Sequence, residues 1–205
     1  MIGSHNTLSY LKPVKWWQKL LNPWTKCQLI DILTQKEIGV RYFDIRIRPV
    51  MVDGKYVPHY CHNNVDYGKT DERVFMVINH WSLDLKIYLR ITLDVREKPE
   101  DADEMQTWFL NYIQYLKNKY PHINFDSIKV FWDWSNDYGP QEIKVIEFHW
   151  SVNKKRWYEY LFPIKLYARL NNSKIRSSLA EEVSDSNNDV AVMYDFVELN
   201  YKMKK

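Results

Sequence analysis

The sequence predicts an α/β domain built on a mostly parallel sheet, open or closed into a barrel. Short β-branched and aromatic runs alternate with segments of helical spacing, the pattern of strand–helix–strand units. The run Gly39-Val40-Arg41-Tyr42-Phe43-Asp44-Ile45-Arg46-Ile47-Arg48 reads as a strand carrying Asp44 and Arg46 two residues apart, hence on one face. Polar residues recur where strands end, at His5-Asn6, Asp44-Arg46, His62, Asp94 and Asp195, and in a parallel sheet the loops after those ends converge on one crevice.

A chain of 205 residues supports one sizeable core, so a single domain over 1–205 is expected. A hydrophobic share of 45% with 16% aromatics excludes disorder, and a net charge of +3 is too small to argue nucleic-acid binding. Cys27 and Cys61 make neither a disulfide framework nor a metal spacing and read as idle thiols. No run of about eighteen apolar residues predicts a membrane span. The N-terminus lacks the charged and apolar regions of a secretory signal, so a cytoplasmic or peripheral-membrane location is expected.

In order, residues 1–7 read as a short strand running into a polar loop. Segment 11–26 sets Trp16, Trp17 and Trp24 among lysines. Residues 27–38 have helical spacing and stop at Gly39, a natural C-cap. Asp53-Gly54 signals a hairpin after the Asp44 strand, and residues 56–61 return as a strand that ends at His62. Helices are expected over 70–83 and 100–119, the latter acidic at its start and basic at its end. Further strands are expected at 86–95, 128–134, 144–150, 164–170 and 190–197, with a polar loop at 184–189.

An acid and a base on a face that should otherwise be packed must pair with each other or serve a polar site. Two histidines with an arginine suit phosphoryl transfer: one imidazole takes a proton from an attacking hydroxyl, the other protonates the leaving oxygen, and the guanidinium holds the phosphate. An aspartate behind the base fixes its tautomer.

His5-Asn6 within Gly3-Ser4-His5-Asn6-Thr7, the Arg41-x-x-Asp44-x-Arg46 strand, Pro58-His59-Tyr60-Cys61-His62 and the later strand ending in Asp94 resemble, in order, the X-domain of phosphatidylinositol-specific phospholipases C. Val192-Met193-Tyr194-Asp195 resembles the last strand of the bacterial members. The resemblance implies a TIM-barrel-like (β/α) barrel, shortened or irregular in a chain of this length, and a phosphoric diester hydrolase or lyase acting on a phospholipid or related phosphodiester. It implies His5 as general base on a headgroup hydroxyl, Asp195 as its orienting partner, His62 as general acid, Arg46 on the phosphate, and Asn6 and Asp44 as braces. The product would be a cyclic inositol phosphate.

Asn6, Asp44 and Asp94 also make three oxygen ligands for calcium, the cofactor of some members, but Arg46 puts a positive charge where the fourth ligand stands. No cofactor is therefore expected. The family's glycine after the second histidine is Asn63 here. His59 competes with His62, and the resemblance to the family's Pro-x-x-x-His pattern selects His62, leaving His59 as a strand residue. Asp195 alone could equally cap a helix or pair with a lysine. Arg169 could reach a headgroup, though a solvated strand-end role is commoner. Trp16, Trp17 and Trp24 either meet a membrane interface or pack beneath the barrel. His122 and His149 read as structural, and Trp132, Trp134 and Trp150 as core and rim. The alternatives are a metal-dependent glycerophosphodiester or sphingolipid phosphodiesterase, against which Asp44-Ile45-Arg46 replaces the expected acidic pair, and a lipid- or phosphate-binding module on a decayed barrel.

Overall fold

The structure is a computed structural model and describes residues 1–21, 25–95, 97–147 and 190–195. Trp24, Arg169, the strand expected at 164–170, the loop at 184–189, His149 and Trp150 lie outside the described residues. Strands β1 (Ile2–Ser4), β2 (Val40–Val52), β3 (Lys55–His62), β4 (Val65–Lys69), β5 (Tyr88–Leu93), β6 (Asn124–Val130), β7 (Lys144–Glu147) and β8 (Val190–Tyr194) form one sheet. Helices α1 (Ile32–Glu37), α2 (Arg73–Trp81) and α3 (Ala102–Lys119) join them, with a 3-10 turn at Trp16–Leu21.

Six strands run parallel in the order β7-β8-β1-β2-β5-β6, so the last strand returns beside the first, as in a barrel. The C-terminal half of β2 leaves this barrel wall and pairs antiparallel with β3, which pairs with β4. Asp53 (φ 49) and Gly54 (φ 74) make the turn with two consecutive positive φ values, the primed geometry that matches strand twist. Strand β4 was not anticipated from the sequence: Val65-Asp66-Tyr67-Gly68-Lys69 is short and interrupted by a glycine with φ 100.

Among the described residues no ladder joins β6 to β7, and the barrel stands open there. The reason is local. The backbone N–H of Gln141 donates to the Asp126 carbonyl at 2.8 Å, that of Tyr138 to the Ile128 carbonyl at 3.0 Å, and the N–H of Ile128 to Asp137 Oδ1 at 2.8 Å. The loop after β6 thus folds back and occupies the edge that a neighbouring strand would use.

Strand alternation sorts the side chains. Phe43, Ile45, Ile47, Leu89, Ile91 and Leu93 face outward into a core with Phe75 and Ile78 of α2 and Phe109, Ile113 and Leu116 of α3. The opposite face of the same strands lines the barrel interior. Its lower layer holds Tyr42, Tyr88, Ile143, Ala191 and Met193. Its upper layer, further along the same strands, holds Asp44, Arg46, Arg90, Asp94 and Asp195.

Helix α1 begins at Ile32, not at residue 27, because Asp31 caps it through Thr34 N–H at 2.9 Å and the N–H groups of Cys27 and Gln28 both go to Ser9 Oγ at 2.9 Å. Strand β6 starts at Asn124 and ends at Val130, earlier than expected, and Phe131–Asp133 turns into a 3-10 segment. Helix α3 meets its expected span, with Asp103 and Glu104 in the first turn and Lys117 and Lys119 in the last.

A Cβ on Gly139 would lie 2.4 Å from the Asp126 carbonyl oxygen and 2.9 Å from the Ser127 Cα, both backbone of β6. Gly139→Ala should therefore lift the edge-covering loop and cost about 1–3 kcal/mol by denaturant titration. Gly54→Ala, with nothing within 4 Å but a positive φ, should cost about 1 kcal/mol from backbone strain alone. Equal costs for the two variants would contradict the edge-covering role of the loop.

Candidate active site

The upper interior layer gathers His5, Asn6, Asp44, Arg46, His62, Asp94 and Asp195 at one end of the barrel, with all of them buried or nearly so. Asp44 is the centre. Its Oδ2 accepts from Arg46 Nε at 3.2 Å and from the backbone N–H of Asn6 at 3.0 Å, while Oδ1 accepts from Arg90 Nε at 3.0 Å. Burial alone would raise its pKa, but Arg90 and Arg46 outweigh burial and hold the carboxyl well below the usual range. The Asp44 backbone N–H donates to Thr7 Oγ1 at 3.0 Å, and Thr7 N–H donates to the Asp44 carbonyl at 2.7 Å. The loop that carries His5 is thereby stitched to β2.

Two buried glutamines complete that stitching. Gln28 Nε2 donates to the carbonyls of His5 and Tyr194, both at 2.9 Å, and Gln35 Nε2 donates to those of Thr7 at 2.9 Å and Ile30 at 2.8 Å. The loop's geometry includes a left-handed Asn6 (φ 44), a conformation Asn tolerates better than most residues.

His5 Nδ1 stands 2.7 Å from Asp195 Oδ1, and its Nε2 stands 2.6 Å from Arg46 Nη2. A guanidinium can only donate, so Nε2 is the acceptor and the ring proton sits on Nδ1, facing Asp195. Burial, with the positive Arg46 alongside, lowers the His5 pKa against the pull of Asp195. His5 is thus a neutral imidazole whose lone pair points at Arg46. Asp195 is held below its ordinary value by His5, in spite of burial. Neither a helix cap nor a lysine pair, the two structural readings of Asp195, accounts for this contact.

Arg46 also approaches Asp94, Nη1 to Oδ2 at 3.6 Å, and Asp44 and Asp94 together keep its charge in place against burial. Asp94 Oδ2 accepts from the Asn63 backbone N–H at 2.9 Å. Asn63 has φ 54, so the position that resembled a family glycine needs a left-handed residue, and Asn supplies it. Two buried polar atoms here, Asn6 Nδ2 and Asp94 Oδ1, have no hydrogen-bond partner among the described residues.

The His62 ring stands edge-on to that of His5, with centroids 5.8 Å apart and planes at 88°. His62 Nδ1 meets the Thr25 carbonyl, which fixes its proton on Nδ1 and leaves Nε2 as the second reactive nitrogen. Burial first, and Arg46 second, lower its pKa to about 4. His59 takes no part: its Nδ1 is 3.0 Å from Asp66 Oδ1 and ties β3 to β4.

Three residues of this end of the barrel were not singled out from the sequence. Arg90 could have been: Arg90, Thr92 and Asp94 repeat on β5 the polar face that Asp44 and Arg46 make on β2. Thr25 had no local signal. Cys27, read as idle, is fully buried against the site, its Sγ 3.7 Å from both the Thr25 carbonyl oxygen and His62 Nδ1. Cys61 is buried and unlinked to Cys27 by a disulfide.

For a divalent cation, the set Asn6, Asp44 and Asp94 fits poorly, because both Asp44 oxygens already face guanidiniums. Between β6 and β7 the described residues enclose a cavity of about 480 Å³, lined by Arg90, Asp126, Lys129, Trp134, Asp137 and Lys144 among others. Beside the site, Trp16 and Trp17 do not pack beneath the barrel: they are 74% and 42% exposed, with Leu20 at 68%. The buried Gln18 pins their turn by donating to the Asn64 carbonyl at 2.8 Å, two residues beyond His62. No helix of the described residues is long and apolar enough to cross a membrane.

No protein-family model matches the chain, and no curated protein matches it in sequence. Among solved structures, phosphatidylinositol-specific phospholipase C from Listeria monocytogenes aligns with a TM-score of 0.57 at 16% identity, over 100% of this chain and 92% of that one. Two structures of the Staphylococcus aureus phosphatidylinositol-specific phospholipase C align with TM-scores of 0.54 and 0.56 at 15% identity, over 95% of this chain and 85% of theirs. At such identity the likeness is one of architecture, and the chain has the fold of the bacterial phosphatidylinositol-specific phospholipases C.

Proposed function

We propose that this chain is a metal-independent phosphodiesterase that cleaves a phosphoinositide-type phospholipid by attack of a headgroup hydroxyl on its own phosphorus. The observation that carries the reading is the His5 ring, its Nδ1 proton on Asp195 and its Nε2 lone pair against the Arg46 guanidinium, with a second histidine edge-on beside it. The solved structures with this fold, described as phosphatidylinositol-specific phospholipases C, support the same substrate class.

In the resting protein Arg46 donates to His5 Nε2. A phosphodiester oxygen entering the site takes over that donor, a charge-assisted exchange that frees the Nε2 lone pair. The adjacent headgroup hydroxyl then attacks phosphorus and passes its proton to Nε2, and Asp195 stabilises the imidazolium that forms. The bond from phosphorus to the diacylglycerol oxygen breaks, with His62 supplying the proton to that oxygen. The product is a cyclic phosphate. Arg46, held by Asp44 and Asp94, faces the charge that develops on the phosphoryl oxygens. Asn6 Nδ2 and Asp94 Oδ1 are a buried donor and acceptor suited to the phosphate and to a headgroup hydroxyl. The exposed Trp16, Trp17 and Leu20, with Lys12, Lys15 and Lys19 nearby, suit contact with an anionic bilayer surface.

Cleavage of phosphatidylinositol in mixed micelles, followed by phosphorus NMR, should yield a cyclic phosphate in the presence of a chelator. Product formed only with calcium would favour the metal-dependent alternative, and binding without turnover would favour a phosphate-binding module. His5→Ala and His62→Ala should each lower kcat by about 100- to 10,000-fold with the fold intact, the usual worth of a positioned acid or base. His59→Ala should leave kcat within a few-fold, and a loss equal to that of His62→Ala would reverse the assignment.

The pH profile follows from the two lowered histidines. Catalysis needs His5 neutral and His62 protonated, and both pKa values lie below 6.5, His62 near 4. The protonated fraction of His62 therefore grows as pH falls, and kcat/KM should peak on the acid side of 6.5. The negative charge of bound substrate raises both imidazoles, so kcat should peak at higher pH than kcat/KM. A kcat/KM maximum in the alkaline range would contradict these roles.

A further inference from the structure

We infer that Cys27, His5 and Asp195 form a site for a thiophilic divalent cation of the Zn²⁺ class, and that its occupation switches the His5 base off. The thiol sulfur, a ring nitrogen of His5 and a carboxylate oxygen of Asp195 all lie within 4.8 Å of one another. Tetrahedral zinc with bonds of about 2.0–2.3 Å puts neighbouring ligand atoms about 3.3–3.7 Å apart. His5 Nδ1 and Asp195 Oδ1, at 2.7 Å, need only part around the ion, with the sulfur within 4.8 Å of both ligand groups. This donor set is distinct from the three oxygens considered for calcium. Sulfur and imidazole select Zn²⁺, Co²⁺ or Cd²⁺ over Ca²⁺ and Mg²⁺, which want oxygen shells.

Charge favours the same ion. Among the described groups of the cluster, the carboxylates of Asp44, Asp94 and Asp195 outnumber the guanidiniums of Arg46 and Arg90. A cation that arrives as Cys27 loses its proton leaves a cluster closer to neutral than before. Binding through sulfur releases the Cys27 proton, and the metal takes its place in the buried cluster beside His5 and Asp195.

The ion alters His5 through its tautomer. Coordination at Nδ1 moves the ring proton to Nε2, where it faces the Arg46 donor that now sits 2.6 Å away. Two donors cannot share that contact, so Arg46 must swing off and the Nε2 lone pair is lost. The metal thus removes the base, its orienting carboxylate and the phosphate contact together. This loss of turnover rests on the proposed function; the binding itself rests only on the geometry.

Titration of the purified protein with Co²⁺, read by thiolate-to-cobalt absorption in the near ultraviolet and by calorimetry, tests the binding independently of activity. One ion per chain with a thiolate band is expected, displaceable by Zn²⁺ and unaffected by Cys61→Ser. Cys27→Ser should weaken binding by more than about 100-fold, since even outer partners of a metal ligand are worth 10- to 100-fold. Asp195→Asn provides a second variant, expected to keep the band but bind more weakly. In the activity arm, Zn²⁺ should inhibit the parent chain, and Cys27→Ser should turn over substrate yet resist the metal. Absence of the band, or a band that Cys61→Ser removes and Cys27→Ser does not, would overturn the site. Binding as expected in a chain without turnover would keep the site and reject the proposed function instead.

Discussion

The Asp44 carboxylate is the constraint on which the site end of this barrel depends. It lies on β2, which alone among the described strands pairs with three others, and it is fully buried with a guanidinium on each oxygen. Such a group is ionised only because Arg46 and Arg90 are there, and they are tolerated in the interior only because it is. Removing one partner of a buried pair of this kind typically costs about 3–5 kcal/mol, mainly because the other charge is stranded. The same carboxylate holds the Asn6 N–H, so the loop with His5 takes its position from an ion pair one strand away. A fold requirement and a site requirement are met by one residue.

That arrangement also sets the protonation of the histidines. Arg46 is held by Asp44 and Asp94 and in turn faces His5 Nε2 at 2.6 Å. Its charge and the burial around it lower the pKa of both imidazoles, and the His5 Nε2 lone pair is held by the Arg46 guanidinium. An anion reverses this balance: it competes for Arg46 and raises the histidines. In the proposed reaction the phosphodiester is that anion, and the mild net charge of the chain does not reveal this local balance.

The sequence was legible where a residue broke the pattern of its own strand. Asp44 and Arg46 interrupt an apolar run, Asp195 follows another, and Asp53-Gly54 names its turn type outright. Arg90 breaks its strand in the same way and could have been read. The helix over 27–38 could not be trimmed from sequence, because the Ser9 hydroxyl that claims the Cys27 and Gln28 N–H groups is a long-range partner. Cys27 was illegible for the same reason: nothing near it in sequence places its sulfur beside His62, 35 residues on. Strand β6 was set late because Phe131 and Trp132 look like strand residues, yet the loop after them folds back along the strand's own edge.

The exposed turn at Trp16–Leu21 and the open side of the barrel belong to one argument about access. An apolar turn in water is costly, and this one persists because Gln18, buried beneath it, is bonded to the Asn64 carbonyl, and Val14 N–H to that of Asp66 at 2.9 Å. Both anchors lie on the hairpin that carries His62. A surface that meets the turn is thereby held at a fixed distance from the acid of the proposed reaction. Among the described residues the edge of β6 is satisfied by its own loop, so its backbone groups are paired there without a neighbouring strand. Arg90 lies buried behind that edge on the Asp44 carboxylate, so among the described residues the charged layer is held from within and not by a strand ladder on that side.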